Sequence, residues 1–217
     1  MVANNMFLKK VIPYFLLVLC ITACNSKDKK VTTAPDSLKI VRAKVVPVEQ
    51  PKKNDPKAPI INIVDTVAAK KIVLFMKDSA STPQRISQKL AEIYGVKIPA
   101  FIKKNKIKIS GAPIAWYHSQ KAPIFFEAGI PIDKKPAKLP KGFFVKSIGG
   151  DSAVVAHFFG PYNITYEAYE ALSDYIKEKK KKKTGLPYEI YVGDPFDKNG
   201  KPIDPFRVQT NIVQTYE

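Results

Sequence analysis

Glu189 stands in the apolar run Tyr188–Val192, and its carboxylate is the most informative functional group of the chain. Side chains alternate between the two faces of a strand, so Glu189 and Tyr191 share one side. Tyr188, Ile190 and Val192 take the other, which is expected to face the helices. A carboxylate withdrawn from water among aromatics is costly unless something pairs with it. Two arrangements meet that demand: an edge-strand glutamate turned to solvent, or the floor of a pocket whose occupant is a cation. Trp116, Tyr117, Phe126 and Tyr162 add rings that attract cations and stack on flat apolar groups; each can equally be core. Trp116 and Tyr117 are neighbours, so a regular strand sends them to opposite faces.

The second reactive residue is Cys24. Lys9 and Lys10 precede an apolar run, Val11–Ala23, interrupted by Pro13. A positive end followed by a short hydrophobic stretch is the layout of a secretory signal, and the run is too short for a comfortable membrane-spanning helix. It ends in Ile21-Thr22-Ala23-Cys24, which resembles the lipobox of bacterial lipoproteins. That resemblance implies cleavage after Ala23 and lipidation of Cys24, with several acyl chains together giving stable anchoring. Leu17-Val18-Leu19-Cys20 is a poorer match, because Leu19 is bulky where a small residue is wanted. The expected location is the cell envelope, on a periplasmic or surface-facing side.

Other chemistries find little support. His118 and His157 stand alone, without ligand-like spacing, so neither a metal nor another cofactor is expected. The chain has no serine nucleophile elbow and no phosphate-binding loop. Its net charge of +17 comes almost wholly from lysine. The arginines are only Arg42, Arg85 and Arg207, which argues against a nucleic-acid partner. The run Lys179–Lys183 complements the carbonyl end of a helix and reads as a solvated helix end.

These groups must be positioned by one domain, since 217 residues less a leader leave room for no more. A signal peptide is expected over 1–23 and a lipid-anchored, disordered linker over 24–69. Prolines and mutually repelling lysines make such a linker semi-stiff. Within it, Ile60-Ile61-Asn62-Ile63-Val64 suits an edge strand packed on the domain. The folded part is expected over 70–217. Ile72–Met76 reads as a buried strand. Ser81 or Thr82 caps a helix with Pro83 in its first turn and Ile86, Leu90, Ile93 and Tyr94 on one side. Gly95 and Pro99 kink or end it, and Phe101-Ile102 resumes it. Strands Ile114–Tyr117 and Pro123–Phe126 follow. Next, Phe143–Ser147 and Ala153–Phe159 read as a hairpin across Gly149-Gly150-Asp151. A helix from Ile164 ends near Gly185 and Pro187, and strands Tyr188–Val192 and Phe206–Val213 close the chain. The class is α+β, built from duplicated strand–helix–strand–strand units with a groove between them.

Five short motifs occur in order: Glu127-Ala128-Gly129-Ile130-Pro131-Ile132, Gly160-Pro161-Tyr162, Ala168-Tyr169-Glu170-Ala171-Leu172, Glu189-Ile190-Tyr191 and Asp194-Pro195. With them the stretch from Lys70 to Glu217 resembles the GyrI-like small-molecule-binding domain, the effector-binding domain of bacterial transcription activators. The resemblance implies two such units about a pseudo-twofold axis, binding apolar and often cationic small molecules between them. It assigns the acidic floor to Glu189 and the walls to Tyr191, Tyr117, Tyr162 and Phe126, with Trp116 as the second choice beside Tyr117. Regulators of this family carry an N-terminal helix-turn-helix domain; here a lipobox and linker occupy that place, so ligand binding rather than gene control is implied. Some relatives are hydrolases of strained, electrophilic molecules. In that alternative Glu189 is general base or nucleophile, and Tyr117 supplies a proton or hydrogen bond.

Overall fold

Ile72–Met76 is apolar without a break because its strand is covered on both faces. Leu74 packs with Ile93, Ile98 and Ile102 under helices, while Val73 and Phe75 pack with Trp116, Val155 and Tyr188 on the opposite side. The computed structural model describes residues 57–119 and 121–217. The expected signal peptide, Cys24 and the linker up to residue 56 lie outside the described residues.

The chain order is β1 (Ile60–Val67), β2 (Lys71–Ala80), α1 (Pro83–Glu92), α2 (Ile98–Lys104), β3 (Ile114–Tyr117), β4 (Ile124–Ile132), β5 (Phe143–Ile148), β6 (Ser152–Phe159), α3 (Tyr166–Glu178), β7 (Lys183–Tyr191) and β8 (Gln209–Tyr216). One eight-stranded antiparallel sheet has the order β1-β6-β8-β7-β3-β4-β2-β5. The two expected strand–helix–strand–strand units are β2-α1/α2-β3-β4 and β6-α3-β7-β8. Each orders its strands alike, and they meet where β3 pairs with β7. The edge strand foreseen at Ile60 is β1, paired along its length with β6. The sheet therefore begins ahead of Lys70.

The hairpin expected across Gly149-Gly150-Asp151 does not form. β5 pairs with β2, and β6 pairs with β1 and β8. The segments 60–76 and 143–159 run as one long ribbon in a single register, Ile60 opposite Phe159 and Met76 opposite Phe143. At its middle Ala68 donates to the Asp151 carbonyl and Gly150 to the Ala68 carbonyl. The ribbon passes from one sheet edge to the other, so the sheet must curl. Gly149 and Gly150, with φ of +83° and +96°, supply positive φ for this crossing rather than for a reversal. A Cβ on Gly149 would lie 2.1 Å from the Ala69 carbonyl oxygen.

The Thr82 hydroxyl caps α1 by accepting from Arg85 N at 3.2 Å. At Gly95 the helix continues through a π-helical turn, Ile93–Lys97, into α2. On the other unit Ala168, Leu172 and Ile176 of α3 pack against Val154, Ala156, Phe158 and Ile212. α3 ends at Glu178, earlier than expected, because Lys180 adopts φ +52° and turns the chain. Gly185 and Pro187 lie in β7 instead, at a shift in its pairing with β8.

Candidate functional site

Helices α1, α2 and α3 pack on one face of the sheet, and Glu189 lies on that face. Its register partners are Ile212 of β8 and Ala115 of β3, with Ala156 and Ala128 beyond them. The carboxylate thus stands alone in an apolar row, beside small alanine side chains. Tyr188 and Ile190 pack on the opposite face with Val155, Val213 and Trp116. The alternation foreseen along this strand is correct, but the expectation that Tyr188, Ile190 and Val192 face the helices is not. Both faces bury apolar residues, Val155, Val213 and Trp116 on one and Ile212 with the helices on the other, so hydrophobicity could not tell them apart.

The Tyr169 hydroxyl reaches down from α3 and donates to Glu189 Oε1 at 2.8 Å. The Tyr191 and Tyr117 hydroxyls are 2.8 Å apart. Tyr94 from the π-helical turn and Tyr162 from the turn before α3 set their rings edge-on to Tyr191, at centroid distances of 6.1 and 5.9 Å. The Tyr94 hydroxyl donates to the Ile114 carbonyl at 2.8 Å. Tyr162 is an exposed rim residue. Thr210, opposite Tyr191 in register, is buried. Its hydroxyl lies beside that of Tyr162. Tyr169 also walls a cavity of about 310 Å³ between α3 and β7–β8, with Leu172, Ile176, Pro187 and Gln214.

Two carboxylates of this domain are buried to the same degree, Glu127 and Glu189, each 7% exposed. Burial opposes the charge on Glu127, but Lys146 at 2.5 Å, Lys77 at 3.5 Å and His118 at 3.4 Å prevail and hold it below the usual carboxylate range. Glu189 has no basic partner among the described residues. Burial raises its pKa, and the Tyr169 and Tyr191 hydroxyls offset this only in part. Burial and the neighbouring carboxylate push Tyr191, Tyr117 and Tyr169 upward, so these groups remain hydrogen-bond donors at neutral pH. The arrangement is an unpaired acid ringed by protonated phenols.

Of the residues foreseen from sequence, Glu189, Tyr191, Tyr117 and Tyr162 come together. Phe126 is buried on the same face, 6.3 Å from the Tyr117 ring, where it backs that ring from the core. Trp116 is on the opposite face, 5.6 Å from Tyr188, with Lys146 Nζ 3.2 Å from its ring centroid; it does not reach Glu189. Tyr94, Tyr169 and Thr210 were missed. Tyr94 read as part of a helical stripe, yet a tyrosine in such a stripe carries a hydroxyl that needs a partner.

No family model and no curated protein matches the chain. Solved structures do. The C-terminal domain of EcmrR superposes with a TM-score of 0.61 at 16% identity, over 73% of this chain and 98% of that domain. The fold is the GyrI-like α+β fold. EcmrR in a DNA complex gives a TM-score of 0.60 at 16% identity; 72% of this chain is covered, but only 57% of that longer chain. A hydrolase from Listeria innocua gives 0.51 at 11% identity, over 71% of this chain and 91% of the other.

Proposed function

We propose that this chain is a lipid-anchored protein of the cell envelope whose GyrI-like domain holds apolar, preferably cationic, small molecules at Glu189. The observation that carries the reading is the buried Glu189 carboxylate, which has no basic partner among the described residues and is faced by tyrosine hydroxyls. A positively charged ligand supplies the missing partner, and the rings of Tyr191, Tyr117 and Tyr162 supply cation–π and stacking contacts. The GyrI-like fold, shared with the C-terminal domain of EcmrR, supports ligand binding on this scaffold. The apolar run ending in Ile21-Thr22-Ala23-Cys24 supports anchoring.

Equilibrium dialysis of the protein against a lipophilic cation and a neutral molecule of the same shape tests the ligand class: the cation is retained more tightly, and equal retention contradicts the reading. Labelled palmitate tests the anchor. Wild type incorporates it and Cys24→Ala does not; incorporation by the variant sinks the lipobox assignment.

One observation favours a second reading, hydrolysis of a strained electrophile. The Glu189 carboxylate lies beside a Tyr117–Tyr191 hydroxyl pair, a base next to proton donors. The structural similarity to a Listeria innocua hydrolase is in keeping with it. Mass spectrometry of an incubated ligand separates the two, since a binder returns it unchanged.

A further inference from the structure

The lysines that stand out in the sequence are not the ones the fold leaves free. In the Lys179–Lys183 run, Lys179 pairs with Glu178 at 3.0 Å, Lys181 with Asp65 at 2.7 Å and Lys182 with Glu217, while Lys183 donates to Ser173 at 3.0 Å. That run is largely neutralised. A different set is not. The segment Lys103–Lys108, the end of α2 and the turn after it, and the β4–β5 connection Lys134–Lys141 lie together. Lys108 N donates to Asp133 Oδ1 at 2.9 Å, Asp133 N donates to the Lys108 carbonyl at 3.0 Å, and Phe101 stacks on Phe143 at 5.1 Å. Every lysine of these two segments is exposed. None has a carboxylate within ion-pair distance among the described residues. The acid between them, Asp133, is engaged by backbone. Two large apolar side chains stand out beside them, Ile109 at 55% exposure and Leu139 at 41%.

We infer that this face is a docking surface for an anionic phospholipid bilayer. Flexible lysines and isolated apolar side chains on irregular loops suit a headgroup layer: the cations meet lipid phosphates while Ile109 and Leu139 enter the interface. The inference rests on the lipid-anchored reading, which places a bilayer within reach. A tether from Cys24 to Ile60, fully extended, spans on the order of 100 Å, ample for the face to turn to the membrane.

The test is flotation of the full chain with vesicles of phosphatidylcholine alone or with one quarter phosphatidylglycerol. The ratio of the two partition coefficients cancels any uncharged contribution of the N-terminal segment. Each well-placed lysine is worth about five-fold in partition. Lys104→Ser, Lys106→Ser, Lys135→Ser and Lys138→Ser together lower the ratio at least ten-fold and leave thermal unfolding unchanged. The same number of replacements at the carboxylate-paired Lys57, Lys179, Lys181 and Lys182 lowers it far less. Salt near 1 M, where screening acts within about 3 Å, abolishes the preference. Equal losses in both variants reduce the effect to net charge and overturn the inference. Tighter retention on a DNA duplex than on the anionic vesicles, lost in the same variant, overturns it in favour of nucleic acid. Failure of palmitate labelling with the vesicle ratio intact refutes the anchor and not this surface.

Discussion

Replacing Tyr169 by Phe removes one hydroxyl and leaves the ring that walls the cavity. That hydroxyl donates to Glu189 Oε1 at 2.8 Å, and the carboxylate has no cation to fall back on. A hydrogen bond to a charged group contributes about 1.5–3 kcal/mol, and one between neutral groups about 0.5–1.5 kcal/mol. The loss therefore depends on the charge state of Glu189. Its folded pKa is raised above the ordinary 4.5, first by burial. Its contribution to stability is accordingly fullest below the unfolded value and is lost as pH rises through the folded one. At a pH above the folded value the carboxylate is charged and Tyr169→Phe costs about 1.5–3 kcal/mol; near pH 4 it is protonated and the cost falls to about 0.5–1.5 kcal/mol. Urea unfolding at the two pH values measures both numbers. In a Glu189→Gln background the cost is the smaller one at either pH, so the double-mutant cycle isolates the charge. An identical loss at both pH values in the wild-type background refutes the claim that Tyr169 stabilises a buried anion.

Glu189→Gln alone raises stability at pH 8 relative to pH 4, because the variant no longer buries a charge without a basic partner; denaturant midpoints at the two pH values check the sign. Lys146→Met has the opposite effect on the other buried acid. It strips Glu127 of its 2.5 Å partner and leaves only Lys77 and His118, costing about 2 kcal/mol or more in chemical unfolding without changing retention of a cationic ligand. Gly149→Ala places a Cβ 2.1 Å from a backbone oxygen at φ +83°, so the long ribbon must shift and thermal unfolding moves down by several degrees, reflecting a cost of about 2 kcal/mol or more.

The duplicated order of elements was legible because its signals are local: the unbroken apolar run at Ile72, the cap at Thr82 and Pro83, and the stripe of α3. The ribbon was not. Gly149-Gly150 satisfies the torsions of a tight hairpin and of a kink in a crossing strand alike; only the pairing of β5 with β2, between segments far apart in sequence, separates them. Glu189 and Tyr191 could be placed on a common face from the period of two, but not on the helix face, because both sides of β7 are apolar. The charge of the surface was misleading for a similar reason. Lys179–Lys183 is conspicuous as a run, yet its partners Asp65 and Glu217 come from distant strands, while the free lysines are scattered over two loops joined only by the fold.

Trp116 lies on the face opposite Glu189, so its fluorescence is not a reporter of the site, and binding is best followed directly. The decisive measurement is equilibrium dialysis of wild type and Glu189→Gln against a matched lipophilic cation and neutral isostere. Loss of a charge-assisted contact worth about 1.5–3 kcal/mol weakens the cation by about ten-fold to a hundred-fold, while the neutral molecule changes little. Unchanged affinity of both compounds in the variant contradicts the account, because it removes the Glu189 carboxylate from the binding site.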